Sequence, residues 1–286
     1  MSRFSAIDLS ALTPPDIIET LDYEAIVKEM RDDLVARFPL IAGVIDLESE
    51  PARKLIEAFA YRELRLRARI NDGARAVLLA SSYGTNLAHL AALFGTARQD
   101  GETDDRLRRR IQLAPEAFSV AGPEGAYQYH VLTVAPWARD VSAIMAQPGV
   151  VRVTVLRSGP DPIPSEAERE AIRRHLRDEA IRPLTDVVQV LPPTVRDATI
   201  EARLTLHPGP DSGVVQSRAK AVLADWLEQN RMLGMNLRRS AIFARLHQEG
   251  VHSVELVSPA EDIVLEDTEV YAIAGMTIAT ASARDA

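Results

Sequence analysis

The chain contains 286 residues, of which 47% are hydrophobic and 26% are charged. This length is enough for about two or three compact units, each with a hydrophobic core of its own. The sequence has no cysteine, which excludes disulfide bonds and thiolate zinc sites and suits a reducing cytoplasm. Its net charge of -8 argues against nucleic-acid binding, which depends largely on positive charge.

No segment of the sequence predicts membrane insertion or export by the general secretory route. Residues 1–5 lack the start of an apolar stretch such as a signal peptide contains. No apolar run reaches the roughly 18 residues that a membrane helix needs. We therefore expect a protein that works without membrane insertion.

Residues 1–22 are predicted to form an extended arm, because the adjacent Pro14 and Pro15 stop a helix and favour extended backbone. An extended arm cannot bury its apolar side chains, among them Leu9 and Leu12, against itself. We therefore expect the arm to lie on the body of the chain or on a partner. This is a first indication of assembly.

A helical region is predicted over residues 23–136. Apolar residues repeat at helical spacing over about 23–38, which Pro39 ends, and over about 51–71, which Pro51 begins. Four shorter helices are predicted to follow, at about 74–81, 85–94, 103–113 and 123–134.

Residues 137–193 are predicted to form a β-β-α-β unit. A hairpin turns at Pro148, and Ser165 begins a helix, since Glu168 follows it at the spacing of a capping box. A strand over about 186–191 completes the unit.

Residues 194–286 are predicted to form a second unit, in which helices again pack on a sheet. Strands are predicted at about 195–206, 251–257 and 269–280, and helices at about 213–230 and 239–248. The longer helix is expected to face inward with Val214, Ala221, Val222, Trp226 and Leu227.

The predicted fold class is therefore α+β, with a helical N-terminal region followed by two small α+β domains that are β-β-α-β-like. The domains are expected at residues 1–22, 23–136, 137–193 and 194–286. An edge strand of the last domain could pair with a neighbouring chain, because an exposed edge carries unpaired backbone groups.

No constellation of side chains predicts catalysis, a metal site or a bound cofactor. The six histidines lack the paired spacing and third ligand that a zinc site needs, so we interpret them as ordinary surface or core residues. Ser217 and Lys220 match the S-x-x-K spacing of serine acyl enzymes, which makes a serine hydrolase the alternative hypothesis. The companion motifs of those enzymes are absent, so we predict that the protein is not an enzyme.

Two arginine clusters lie in predicted helices. They are Arg62, Arg65, Arg67 and Arg69, and Arg106, Arg108, Arg109 and Arg110. Carboxylates lie close to both clusters in the sequence, so we interpret them as solvated or interface-lining helix faces. Nucleic-acid binding through these arginines is a third hypothesis, which the net negative charge disfavours.

Several stretches resemble one known family, and they occur in the order that the family has. They are residues 7–12, 14–16 and 21–26; residues 72–80, 86–87, 90–95, 103–105, 110–116 and 119–127; and residues 153–156, 181–186 and 258–263. The family is the baseplate assembly protein J family of contractile phage tails. The resemblance extends over essentially the whole chain.

The resemblance implies a structural wedge subunit of a contractile phage-tail or tailocin baseplate. Such a subunit assembles with a baseplate I-type wedge protein, with other copies of itself, and with sheath-initiator and hub proteins of the tail. Two J copies to one I are implied, and six wedges close into a ring that triggers sheath contraction. The implied location is the tail baseplate of the virion, assembled in the cytoplasm of the bacterial host.

The resemblance also implies that the N-terminal helices contribute to a helix bundle at the centre of each wedge. The candidate interface residues are Leu9, Leu12, Tyr23, Ile26, Met30, Leu34, Leu55, Phe59 and Leu66. Packing of these side chains within one chain is the alternative, and the sequence does not decide between the two.

Overall fold

The structure is a computed structural model, and it describes residues 7–119, 121–178, 181, 183, 186–207 and 211–282. Two compact units divide the chain, one formed by Ser5–Gln112 and the other by Leu113–Ala286. Among the described residues, the first unit is helical and the second contains two three-stranded sheets with helices. The predicted α+β class with a helical N-terminal region is therefore confirmed.

The N-terminal unit is built from helices whose ends follow from the sequence. Its helices are α1 (Tyr23–Arg37), α2 (Pro51–Ala76), α3 (Gly84–Leu93) and most of α4 (Asp104–Ala117). Asp22 caps α1 by accepting a hydrogen bond of 3.1 Å from the Ala25 N–H, and Pro51 occupies the first turn of α2. A short 3-10 helix, Pro39–Gly43, follows α1.

The prediction of separate helices at about 51–71 and 74–81 is wrong. The first continues as α2 to Ala76, and residues 77–83 form turns. A glycine inside a helix costs only about 1 kcal/mol, so Gly73 does not end α2. Asn71, which is 3% exposed, is held by hydrogen bonds to the backbone of Glu19, and this contact stabilises the last part of the helix.

One of the arginine clusters, which the sequence predicts to be a solvated or interface-lining helix face, is partly buried within the N-terminal unit. The side chains of Arg110 and Glu102 are 2% and 1% exposed, and they lie 3.0 Å apart. Arg110 also donates to the Ala97 carbonyl at 3.1 Å, and Arg108 donates to the Leu79 carbonyl at 2.9 Å. These contacts bind the chain on both sides of α3 to α4.

Loss of Arg110 is expected to destabilise the N-terminal unit strongly. Arg110→Met leaves the Glu102 carboxylate buried without its main partner, which typically costs about 3–5 kcal/mol. Arg203→Met is the matched control, because the Arg203–Glu255 pair is 60% and 63% exposed and should contribute less than about 1 kcal/mol. Urea denaturation measures the unfolding free energy of both variants. Equal losses in Arg110→Met and Arg203→Met would contradict the prediction.

The first sheet of the C-terminal unit has the strand order β1-β2-β3. Its elements are α5 (Glu124–Val134), β1 (Ala138–Gln147), β2 (Val150–Arg157), α6 (Glu166–Leu176) and β3 (Val187–Leu191). β1 and β2 form the predicted antiparallel hairpin, and β3 runs parallel to β2. Ser165 and Glu168 form the predicted capping box at the start of α6.

The second sheet has the order β5-β4-β6. Its elements are β4 (Thr194–Leu206), α7 (Ser212–Gln229), α8 (Arg239–Leu246), β5 (Val251–Ser258) and β6 (Glu269–Ser282). Alternate residues of β4 are buried, as a sheet with one covered face requires. The predicted boundaries between the four domains stay a prediction.

The expected inward face of α7 is partly wrong. Its buried residues are Val215, Ala219, Leu223 and Leu227, whereas Val214 is 66% exposed. The side chain of Asp211 caps the helix by accepting from the Gly213 and Val214 N–H groups at 2.8 and 3.2 Å. This cap fixes where the helix begins, and the four-residue repeat from Val215 then faces the sheet.

Two distant stretches of the sequence meet beside α5. Gly122 has a positive φ of 67°, and a Cβ atom on it would lie 2.5 Å from Cγ of Pro183. Nearby, the buried Tyr127 hydroxyl donates to the Asp186 carboxylate at 2.6 Å. The glycine is therefore required both by the backbone conformation and by the close approach of the proline.

Candidate assembly surface

A row of large apolar side chains lies on the outer face of α2. Leu55, Phe59, Leu66 and Ile70 are 58%, 56%, 66% and 57% exposed. Their spacing places them on one face of a helix, over a length of about 22 Å. We call these four residues the α2 ridge.

Three residues of the α2 ridge, Leu55, Phe59 and Leu66, form one wall of an open groove in the N-terminal unit. The groove has a volume of about 760 Å³, and Met30 and Leu34 of α1 form its other wall, with Ile41 also lining it. Among the residues that the structure describes, Arg62 and Glu63 are the charged ones that line it. Contiguous apolar surface of this kind is unusual on a monomeric protein and typically marks a binding site.

The structure brings five of the nine candidate interface residues together. The groove residues among them are Met30, Leu34, Leu55, Phe59 and Leu66. Ile26 is 4% exposed and packs within the unit, and the half-buried Tyr23 donates its hydroxyl to the Glu57 carbonyl at 3.2 Å. These two side chains therefore hold α1 and α2 together.

The remaining two candidates, Leu9 and Leu12, belong to the N-terminal arm, and they are not among the residues that line the groove. Leu12 is 54% exposed, while Leu9 is partly buried in a short 3-10 helix, Leu9–Ala11. The arm lies on its own unit at Glu19, whose backbone N–H and carbonyl pair with the Asn71 side chain at 3.1 and 2.8 Å. The Arg67 guanidinium also meets the Glu19 carboxylate at 3.2 Å. An asparagine at a buried helix position is the sequence signal for this contact, and reasoning from periodicity missed it.

The residues of the alternative hydrolase hypothesis do not form a catalytic site. Ser217 and Lys220 are both exposed on α7, and no hydrogen bond joins them within the part of the chain that the structure describes. In the same described residues, no group of three metal-binding side chains converges. None of the described helices has both the length and the apolar character to span a membrane.

Two histidines of the C-terminal unit pack close together between α5 and α6. The ring centres of His130 and His175 lie 5.7 Å apart. Burial, followed by the nearby His175 charge, lowers the pKa of His130 to about 4. Burial also lowers the pKa of His175.

These two histidines predict that acid destabilises the C-terminal unit. The unfolded chain binds a proton near pH 6.5, whereas folded His130 does not until about pH 4, so stability is complete above pH 6.5 and falls as the pH approaches 4. Because His130 is only partly buried and solvent screens its charge, the loss attributable to it is expected to stay below about 3 kcal/mol. The urea midpoints of unfolding between pH 7 and 4 measure this loss of stability. His130→Gln should make the midpoint depend less on pH, whereas the exposed His89→Gln should not. The same dependence of the midpoint on pH in the wild-type chain and both variants would contradict the prediction.

The two sheets of the C-terminal unit are joined through Arg139 and Asp140 at the beginning of β1. Arg139 donates to the Arg231 carbonyl at 2.8 Å, to the Glu228 carboxylate at 2.8 Å, and also to the carbonyl of Glu228. The buried Asp140 accepts the Leu233 N–H at 2.9 Å. A single arginine thus holds the carbonyl end of α7, where the helix dipole favours a positive charge.

A second arginine, which follows α7, donates back to the loop after β2. This residue is Arg231, which donates to the Gly159 carbonyl at 2.6 Å and to the Glu228 carboxylate at 3.1 Å. A small hydrophobic cluster accompanies these contacts; it comprises Leu156, Leu233 and Val270, with Val195 packed against them. Sequence periodicity could not reveal this junction, because its polar contacts join residues about 90 positions apart.

The junction predicts that the two sheets unfold together. The chain has two tryptophans, and Trp137 packs on the first sheet's core while Trp226 packs on the second's. With either tryptophan replaced by phenylalanine, the remaining one should report the same urea midpoint. Adding Arg139→Ala should separate the two midpoints, whereas the exposed Arg203→Ala should not. Midpoints that still coincide after Arg139→Ala would contradict this role.

Family models of a baseplate J-like protein match three segments of the chain. The Baseplate J-like N-terminal domain matches residues 48–102, the central domain residues 119–192 and the C-terminal domain residues 198–279. The chain is 38% identical to Baseplate protein J of Escherichia phage P2 over 285 residues, which covers 92% of this chain and 94% of that protein.

A solved structure of the anti-feeding prophage baseplate also contains a similar chain. The identity is 18% and the TM-score is 0.43, and the likeness covers 60% of this chain and 42% of that chain.

Proposed function

We propose a specific role for this chain, and the proposal starts from its family. The chain belongs to the baseplate J-like family and is a structural protein of a phage-tail baseplate. Its place is the tail of the virion, and it assembles with other baseplate proteins. The proposed role is that of a wedge subunit in a contractile tail or tailocin. The subunit would act mechanically and catalyse no reaction.

The proposed partners are a baseplate I-type wedge protein, further copies of this chain, and sheath-initiator and hub proteins. In this proposal six wedges form a ring, and rearrangement of the ring on contact with a cell triggers contraction of the sheath. Assembly takes place in the cytoplasm of the bacterial host, which the absence of cysteine suits.

The observation that carries the proposal is the exposed α2 ridge with its groove. Covering a fully exposed large apolar side chain contributes about 1.5–3 kcal/mol, and each ridge side chain is more than half exposed in the isolated chain. The N-terminal unit would gain this free energy by placing the groove against the helices of an I-type partner. Tyr23 and Ile26 hold α1, which carries the other wall of the groove, against α2.

A single charge on the ridge is therefore expected to prevent assembly while leaving the fold intact. Leu66→Asp places a carboxylate where a partner must remove water, so binding to the co-expressed I-type protein should weaken at least about tenfold. The far-UV circular dichroism should stay unchanged, because Leu66 is 66% exposed. Native mass spectrometry and titration of the purified proteins measure the effect.

Leu93→Asp is the matched control, since Leu93 is an equally accessible leucine, 78% exposed, on α3 of the same unit. Its complex should form normally. An equal loss for both variants would mean that the ridge has no special role. The absence of any complex with the wild-type chain would overturn the wedge assignment itself.

A further inference from the structure

The arginines of α2 fall into two groups that differ in their partners. On one side, Arg67 lies 2.6 Å from the Glu63 carboxylate, and Arg53 lies 3.0 Å from that of Glu57. On the outer side, Arg62, Arg65 and Arg69 are exposed, and none of them forms an ion pair with a residue that the structure describes. The chain therefore neutralises the arginines on one side of the helix only.

The three unpaired arginines form a row beside the α2 ridge. At 100° per residue, Arg62 and Arg69 lie directly next to Leu55 and Leu66, and Arg65 lies one step further from the ridge. Arg62 also lines the groove. Hydrophobic ridges flanked by charges of one sign are the arrangement by which helices select partners of opposite charge.

From this arrangement we propose that the α2 ridge binds an amphipathic helix whose apolar face is flanked by a row of carboxylates. This inference rests on the proposed wedge function and specifies the chemistry of the partner. The partner helix spans about four turns, since the ridge is about 22 Å long. Its carboxylates meet Arg62, Arg65 and Arg69, while its apolar side chains fill the groove between α1 and α2.

A second copy of this chain fits the surface less well. In an antiparallel pairing through the same face, a two-fold axis places the two arginine rows side by side, and their like charges repel. In a parallel pairing the row would meet Glu63, whose carboxylate is already engaged by Arg67 at 2.6 Å. Charge complementarity therefore favours a different, acidic helix.

Two matched peptides of about 15 residues test this proposal on the full chain. Both have the same leucine ridge, but one carries glutamates and the other lysines along its flank. At low salt, the wild-type chain should bind the glutamate peptide at least about tenfold more tightly than the lysine peptide. The difference should shrink at high salt, because the contacts lie at the solvent-exposed rim.

Charge reversal provides the decisive comparison. Arg62→Glu with Arg69→Glu should invert the preference, so that the lysine peptide binds more tightly. The control is Arg174→Glu with Lys220→Glu, which makes the same change in net charge at exposed positions of the other unit and should leave the preference intact. Equal binding of both peptides by the wild-type chain, or the same change in both double variants, would overturn the proposal.

Two further measurements separate this inference from the function on which it rests. A wild-type chain that sediments as a dimer without peptide, and releases the dimer on Leu66→Asp, would identify a second copy as the occupant and overturn the proposal. A complex with the I-type protein that survives Arg62→Glu with Arg69→Glu at low salt would also overturn it, while leaving the wedge function standing. Peptide selectivity without any I-type complex would instead refute the wedge function alone.

Discussion

A helix of 26 residues such as α2 has more apolar surface than the surrounding unit covers. One face carries Ile56 and Ala60, which pack inside the unit at 9% and 0% exposure. The adjacent face carries the α2 ridge, whose side chains are each more than half exposed in the isolated chain. Burial of apolar area is the dominant favourable term in association, so this uncovered face is the constraint from which the assembly role follows.

Outside the α2 ridge, charged side chains with several partners hold the elements of each unit together. The buried Arg110–Glu102 pair binds α4 to the chain around α3 within the N-terminal unit. In the C-terminal unit, Arg139 and Asp140 tie the first sheet to the end of α7. Both junctions use charged groups with many specific hydrogen-bond partners, and such groups favour one arrangement of the chain over similar ones.

Most elements of the fold are predictable because local signals agree with one another. Pro39 and Pro51 mark helix boundaries, Ser165 with Glu168 begins α6, and both sheets follow from alternating apolar residues. The predicted helix boundaries are wrong where neighbouring residues in the sequence do not determine where a helix ends. The helix predicted over about 51–71 continues through Gly73 to Ala76, and the contact of the buried Asn71 with Glu19 offsets the cost of the glycine.

The assembly surface is predictable only in part, for a reason of geometry. Helical spacing identifies Met30, Leu34, Leu55, Phe59 and Leu66, which the structure places around one groove. The same spacing cannot distinguish them from Ile26, because the inner and outer stripes of a two-helix pair look alike in sequence. The arginine pairs likewise depend on contacts such as Arg110 with Glu102, eight positions apart, that only the folded chain defines.

The central claim is that neighbouring proteins cover the α2 ridge in the assembled tail. A structure of this chain within its baseplate, at a resolution that shows side chains, tests it most directly. We expect Leu55, Phe59 and Leu66 to be buried there against helices of another chain. A baseplate in which these three side chains remain open to solvent would contradict it.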